Sequence, residues 1–111
     1  LRPGRFTVEA EVVEAADGMS AGSLVLADGQ RVVLGTEPVV IGRLPECGVV
    51  LSDPNVSRRH AEVRRQGADV VVVDLQSTNG TRVNGAPVRE RVLVDGDEIL
   101  VGTTAIRYEA S

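Results

Sequence analysis

The feature that most constrains this chain is the spacing of its turn residues. Short apolar runs are interrupted about every eight to twelve residues by Gly, Pro, Asn or Asp. Leu24-Val25-Leu26 and Arg31 to Leu34 flank Asp28-Gly29, Val39-Val40-Ile41 and Val49-Val50-Leu51 flank the Arg43 to Gly48 loop, and His60 to Arg65 and Val70 to Asp74 flank Gln66-Gly67-Ala68. Thr81-Arg82-Val83, Ala86-Pro87-Val88, Val92-Leu93-Val94, Glu98 to Val101 and Thr104 to Tyr108 complete the series. Asp28-Gly29 and Asn84-Gly85 suit type I′ hairpin turns, whose two central residues both need φ > 0. No amphipathic helix of useful length is visible. The expectation is an all-β sandwich or barrel of short strands.

Valine dominates the apolar set, and Phe6 and Tyr108 are the only aromatics, so the core must be aliphatic and β-branched, which favours sheet. A chain of 111 residues has room for one domain. Before the main series, Phe6, Val8, Ala10 and Val12 alternate with Thr7, Glu9 and Glu11, the period of a half-buried strand. Ala15 to Gly22 is small, polar and glycine-containing and reads as a flexible link. The boundary is therefore expected near residue 22, with residues 1–22 as strand plus linker and 23–111 as the sandwich. The first residue is not Met, which reads as a piece of a longer protein.

Several functions are disfavoured. No apolar stretch is long enough to span a bilayer, and Leu1-Arg2-Pro3-Gly4 lacks the layout of a secretory signal. Cys47 is the single cysteine and no Cys/His cluster has metal-ligand spacing, so neither a disulfide nor a metal site is expected, and a reducing, cytoplasmic setting is. A net charge of −4 and the lack of aromatic stacking platforms argue against nucleic acid as a partner. Yet Arg43, Arg58, Arg59, Arg64, Arg65 and Arg82 fall in or near three loops, a focus suited to one anionic group.

Those loops carry the candidate chemistry. Asp53-Pro54-Asn55-Val56-Ser57-Arg58-Arg59-His60 is turn-forming and sets a hydroxyl beside a guanidinium, the donor pair an oxyanion requires. Val39-Val40-Ile41 ends in Gly42-Arg43, and Val70 to Leu75 leads into Ser77-Thr78-Asn79-Gly80-Thr81. Three donor-rich loops at strand ends can converge at one end of a sandwich.

In order and spacing, Gly42-Arg43, Ser57-x-x-His60, Ser77-Thr78-Asn79-Gly80-Thr81 and Asn84-Gly85 resemble the forkhead-associated (FHA) domain, over roughly Ser23 to Tyr108. The resemblance implies a two-sheet β-sandwich of mostly antiparallel strands that binds phosphothreonine peptides without catalysis or cofactor. It implies phosphate contacts from Arg43, Ser57, Arg58 and Thr78, and a contact from Asn79 to the peptide backbone. His60 would brace the serine-bearing loop, and Gly42, Gly80, Asn84 and Gly85 would be structural. It makes the first twenty-two residues an addition, such as the tail of a preceding domain. Partners would be phosphothreonine-bearing substrates of Ser/Thr kinases, in a setting that looks like actinobacterial signalling in cell-wall or growth regulation.

Two rivals stand beside this reading. One is a structural module that self-associates through residues 6–12, since a strand without a built-in partner can pair with another chain. The other is an esterase or phosphatase using Ser57 and His60. It would need an orienting acid and an oxyanion hole, and no Gly-x-Ser-x-Gly elbow occurs.

Overall fold

The structure, a computed structural model, describes residues 21–111. The strand expected over Phe6 to Val12 lies outside the described residues. Eleven strands follow: β1 (Ser23–Leu26), β2 (Arg31–Val33), β3 (Val39–Gly42), β4 (Val49–Val50), β5 (Ala61–Gln66), β6 (Asp69–Asp74), β7 (Thr81–Val83), β8 (Ala86–Val88), β9 (Glu90–Val92), β10 (Glu98–Val101) and β11 (Thr104–Glu109). One sheet has the order β2-β1-β11-β10-β7-β8 and the other β4-β3-β5-β6-β9. Every pairing is antiparallel except β3 with β4. The expected β-sandwich is the fold.

Alternation along the strands decides which side chains meet between the sheets. Ala61 and Val63 of β5 are buried while Glu62 and Arg64 point outward. From one sheet Leu24, Leu26, Val83, Ile99, Val101, Ile106 and Tyr108 face inward, and from the other Ile41, Val49, Ala61, Val63, Val70 and Val72. Each buried Val, Leu or Ile contributes about 1.5–3 kcal/mol relative to exposure.

Two local readings need correction. At Asp28-Gly29 only Gly29 has positive φ (92°), and its N–H donates to the Leu26 carbonyl at 2.9 Å. Ala27 and Asp28 thus form the centre of a type I turn and Gly29 the left-handed bulge residue after it. Asp28 Oδ1 accepts from Gln30 N at 2.9 Å, a local bond available without φ > 0. Asn84 (φ 51°) and Gly85 (φ 86°) do form the type I′ turn expected of them.

The other correction moves the strand read at Val92 to Val94 back to Glu90–Val92, which pairs with Val71 to Val73 of β6. Val94 leaves the ladder because Asp97 holds its backbone on both sides. Val94 N donates to Asp97 Oδ2 at 2.8 Å, and Val94 O accepts from Asp97 N at 3.0 Å. Val94 is consequently 61% exposed, while Leu93 turns into the core.

The register brings one set of termini together. Ile41 faces Ala61, Ala61 faces Asp74, and Thr81 faces Val101, so loops 43–48, 51–60, 75–80 and 102–103 share one end of the sandwich. Gly67-Ala68, Asn84-Gly85 and residues 94–97 occupy the opposite end.

Candidate functional site

Gly42 fixes the spacing at the loop-bearing end. A Cβ there would lie 2.0 Å from the Arg58 carbonyl oxygen and 3.1 Å from Arg59 Cα, so only glycine lets β3 run this close to the loop before β5. The approach is sealed by backbone bonds. Arg43 N donates to Ser57 O (3.2 Å) and Arg58 O (3.0 Å), and the latter oxygen also accepts from Leu44 N (3.3 Å). Arg43 then reaches back, its Nε donating to Val56 O at 2.6 Å.

His60 is fully buried beneath this loop. Its Nδ1 accepts from Ser57 N at 3.0 Å, so Nε2 carries the ring proton and donates to Gly80 O at 2.8 Å. One imidazole thereby ties the serine-bearing loop to the loop before β7. The same geometry removes the hydrolase reading: Nδ1 is occupied by the Ser57 backbone, and the Ser57 hydroxyl oxygen instead accepts from Thr78 N at 3.1 Å. Ser57 and His60 are not arranged as nucleophile and base.

The Ser77 to Thr81 loop is shaped by a residue whose part the sequence reading missed. Asp74 Oδ1 accepts from Ser77 Oγ (2.5 Å) and Thr81 Oγ1 (2.7 Å), Oδ2 accepts from Ser77 N (3.1 Å), and Ser77 Oγ accepts from Gly80 N (2.9 Å). Burial pushes the Asp74 carboxyl up, but the Ser77 and Thr81 hydrogen bonds outweigh it and hold the group below the usual range. A carboxylate at a strand end before a hydroxyl-rich loop was the available signal. Gln76, at φ 59°, marks the sharp bend that this carboxylate closes.

Asp53 plays a similar part on the other side. Its Oδ1 accepts from Asn55 N (2.9 Å), and its Oδ2 accepts from Thr103 N (2.7 Å), Thr103 Oγ1 (2.5 Å) and Thr104 Oγ1 (3.0 Å). The Thr103 hydroxyl and the Asn55 and Thr103 amides hold its carboxyl far below the ordinary range. Nothing local in the sequence signals a bond across fifty residues.

The Asp53 and Asp74 carboxylates are thus surrounded by donors. Among the described residues the terminal nitrogens of Arg43, the Arg58 guanidinium, the Ser57 hydroxyl proton and the Thr78 hydroxyl have no protein partner. Asn79 donates one Nδ2 proton to Asn55 O at 2.8 Å, leaving its Oδ1 and second proton open. Arg59 is engaged with Glu46 at 3.5 Å, an exposed pair worth little. Not all the arginines grouped in the sequence reading belong here. Arg64 pairs with Glu62 on an outer sheet face, Arg65 lies toward the Gly67 turn, and Arg82 bonds Gly85 O (3.1 Å). Asn84 and Gly85 also stand at the opposite end. Chemically, the cluster offers two guanidinium tips, two hydroxyls and an amide to an anion on an extended chain.

The FHA domain family model matches residues 39–102, the span from β3 to the β10–β11 turn. The chain is 41% identical over 96 residues to the glycogen accumulation regulator GarA of Mycolicibacterium smegmatis, covering 81% of this chain and 61% of that protein. It is 44% identical over 92 residues to an oxoglutarate dehydrogenase inhibitor of Corynebacterium jeikeium, covering 78% and 64% respectively. The chain therefore spans a little over six-tenths of the length of these relatives. An FHA domain solved in a study of phosphothreonine-dependent FHA interactions superimposes with a TM-score of 0.77 at 41% identity, covering 82% of this chain and 97% of that one. The FHA domain of FhaA, solved with the intracellular domain of another protein, gives a TM-score of 0.74 at 43% identity, covering 78% and 98%. By motif, fold and these likenesses, the chain belongs to the FHA domain family.

Proposed function

We propose that this domain binds phosphothreonine-containing segments of proteins modified by Ser/Thr kinases, with no catalytic step of its own. The observation that carries the reading is the set of donors at one end without a partner among the described residues: the Arg43 tip, Arg58, and the Ser57 and Thr78 hydroxyls, beside two carboxylates, Asp53 and Asp74, already bonded by several protein donors. Phosphothreonine brings about −1.5 to −2 charges and three acceptor oxygens at pH 7. Each charge-assisted bond to it is worth about 1.5–3 kcal/mol, and none of these is available to unmodified threonine. Arg43 and Arg58 serve as the charged ligands, Ser57 donates its hydroxyl proton while its oxygen stays bonded to Thr78 N, and Thr78 adds a second hydroxyl. Asn79 holds the peptide backbone with the amide atoms left open.

The relatives' names, a regulator and an inhibitor, support a regulatory role, and the likeness to a domain solved in a study of phosphothreonine-dependent FHA interactions supports a phosphate-reading one. The names add control of metabolism to the cell-wall or growth regulation expected from the sequence. No helix among the described residues is long and apolar enough to cross a membrane. The proposed partners, substrates of Ser/Thr kinases, are what leads us to propose a cytoplasmic setting.

Isothermal titration with one peptide in phosphothreonine, phosphoserine and unmodified forms tests the reading. Binding should require the phosphate, favour threonine, and weaken about tenfold or more in Ser57→Ala, which removes one directed bond to the phosphate. Equal affinity for the phosphorylated and unmodified peptides overturns it.

A further inference from the structure

The loop from Leu51 to His60 is anchored very unevenly. Its second half is held by Arg43, His60 and the loop before β7. In its first half, over residues 51–54, the side chain hydrogen-bonded to the other sheet is that of Asp53, whose Oδ2 accepts from Thr103 N, Thr103 Oγ1 and Thr104 Oγ1 in the β10–β11 turn. That turn lies flat against the loop. Gly102 has φ +62°, and a Cβ on it would be 2.8 Å from Val56 Cγ2, 3.0 Å from the Asn55 carbonyl carbon and 3.0 Å from Asp53 Oδ2.

The pinned segment is also where the candidate ligand side chains lean. Val56 O accepts Arg43 Nε at 2.6 Å, Asn55 O accepts Asn79 Nδ2 at 2.8 Å, and Ser57 follows directly in the chain. Asp53 sets the height of Asn55 and Val56 through its Oδ1 bond to Asn55 N and its carbonyl bond from Val56 N (3.0 Å). A shift of Val56 therefore carries the Arg43 guanidinium and the Ser57 hydroxyl with it.

We propose that Asp53 is a positioning residue for the phosphate site: its carboxylate pins the Ser57 loop to the β10–β11 turn, and phosphopeptide affinity depends on that pin. This rests on the phosphopeptide-binding reading above. Asp53 touches no ligand itself. Its effect is preorganisation, since without the pin the donors must be ordered at the moment of binding.

Asp53→Asn, Thr103→Val and Thr103→Ser test the proposal, with a phosphothreonine peptide titrated well below each variant's melting temperature and amide spectra recorded without ligand. Asn presents an N–H toward donors, so Asp53→Asn should bind about tenfold or more weakly, as for loss of a supporting group behind a site. Its Ser57 and Thr78 amide resonances should move before any ligand is added. Thr103→Val, which keeps the fold should Asp53→Asn fail to, should bind about threefold to tenfold more weakly, and Thr103→Ser should restore affinity by restoring the hydroxyl donor. Asp53→Asn or Thr103→Val binding within about twofold of wild type, with only the melting temperature lowered, overturns the pin and leaves the binding reading intact. Wild type that binds no phosphopeptide overturns the reading and the pin together.

Discussion

The dipeptide Asn-Gly occurs twice, at Asn79-Gly80 and Asn84-Gly85, and the two copies do opposite work. Asn84 sits at φ 51° in a two-residue hairpin turn with both ends of its amide engaged: Nδ2 donates to Asp97 Oδ1 at 2.9 Å and Oδ1 accepts from Glu98 N at 3.0 Å. Its partner Asp97 is buried and bonded in turn to Val94 N. Asn79 is exposed, contributes one proton to Asn55 O, and keeps the rest of its amide open. At one end Asn84 and Asp97 thus close their polar groups on each other and on the backbone, and at the other Asp53 and Asp74 hold loops while, among the described residues, cationic and hydroxyl tips are left unsatisfied. Residue type does not distinguish the two asparagines, but hydrogen-bond saturation does.

The contrast breaks most severely at Gly42. Gly42→Ala places a methyl group inside contact distance of the Arg58 carbonyl, and we expect about 3 kcal/mol of lost stability together with loss of phosphopeptide binding. Urea unfolding and titration of the same sample check both. At the saturated end, Asn84→Ala should cost about 2 kcal/mol, from stranded partners and a non-glycine residue at positive φ, with affinity unchanged. At the open end, Asn79→Ala should reverse that profile, with affinity reduced about tenfold, or 1.4 kcal/mol, and stability changed by less than about 1 kcal/mol. Equal stability costs for the two asparagines would erase the distinction.

Acid titration sharpens it further. The folded-state carboxyls of Asp53 and Asp74 lie below their usual range. Their contribution is therefore fully present above the unfolded value of about 3.9 and is lost as pH falls toward the folded value. The stability gap between wild type and Asp53→Asn should narrow as pH drops from about 5 to 3. A gap that widens contradicts the assignment of its hydrogen bonds. The smallest effect belongs to Arg59→Ala, whose exposed pair with Glu46 predicts less than about 1 kcal/mol in stability.

Much of the fold is legible in the sequence because local chemistry determined it. Asn84-Gly85 demanded a type I′ turn and received one, and the apolar runs read on either side of Gln66-Gly67-Ala68 pair as β5 and β6. What escaped the reading depended on distant groups. Asp28-Gly29 resembles the same hairpin turn, but Asp28 bonds Gln30 N and leaves the left-handed position to Gly29 alone. Val94 has strand propensity, yet Asp97 takes its backbone out of the ladder. Arg43, Ser57, Arg58, Thr78 and Asn79 stood out as loop residues before any geometry was known. Asp53 looked like an ordinary turn residue because its threonine partners lie fifty residues away, and Arg64, Arg65 and Arg82 looked like neighbours of the loops until register separated them.

The most direct test of the contrast between the two ends is a titration of one phosphothreonine peptide, and its unphosphorylated form, against wild type, Arg43→Ala and Asn84→Ala. We expect phosphate-dependent binding by wild type, the same affinity in Asn84→Ala, and a loss of about a hundredfold or more in Arg43→Ala, near the upper range for a hydrogen-bonded charge pair. Undiminished binding by Arg43→Ala, or a comparable loss in Asn84→Ala, would contradict the division of labour between the open and the saturated end.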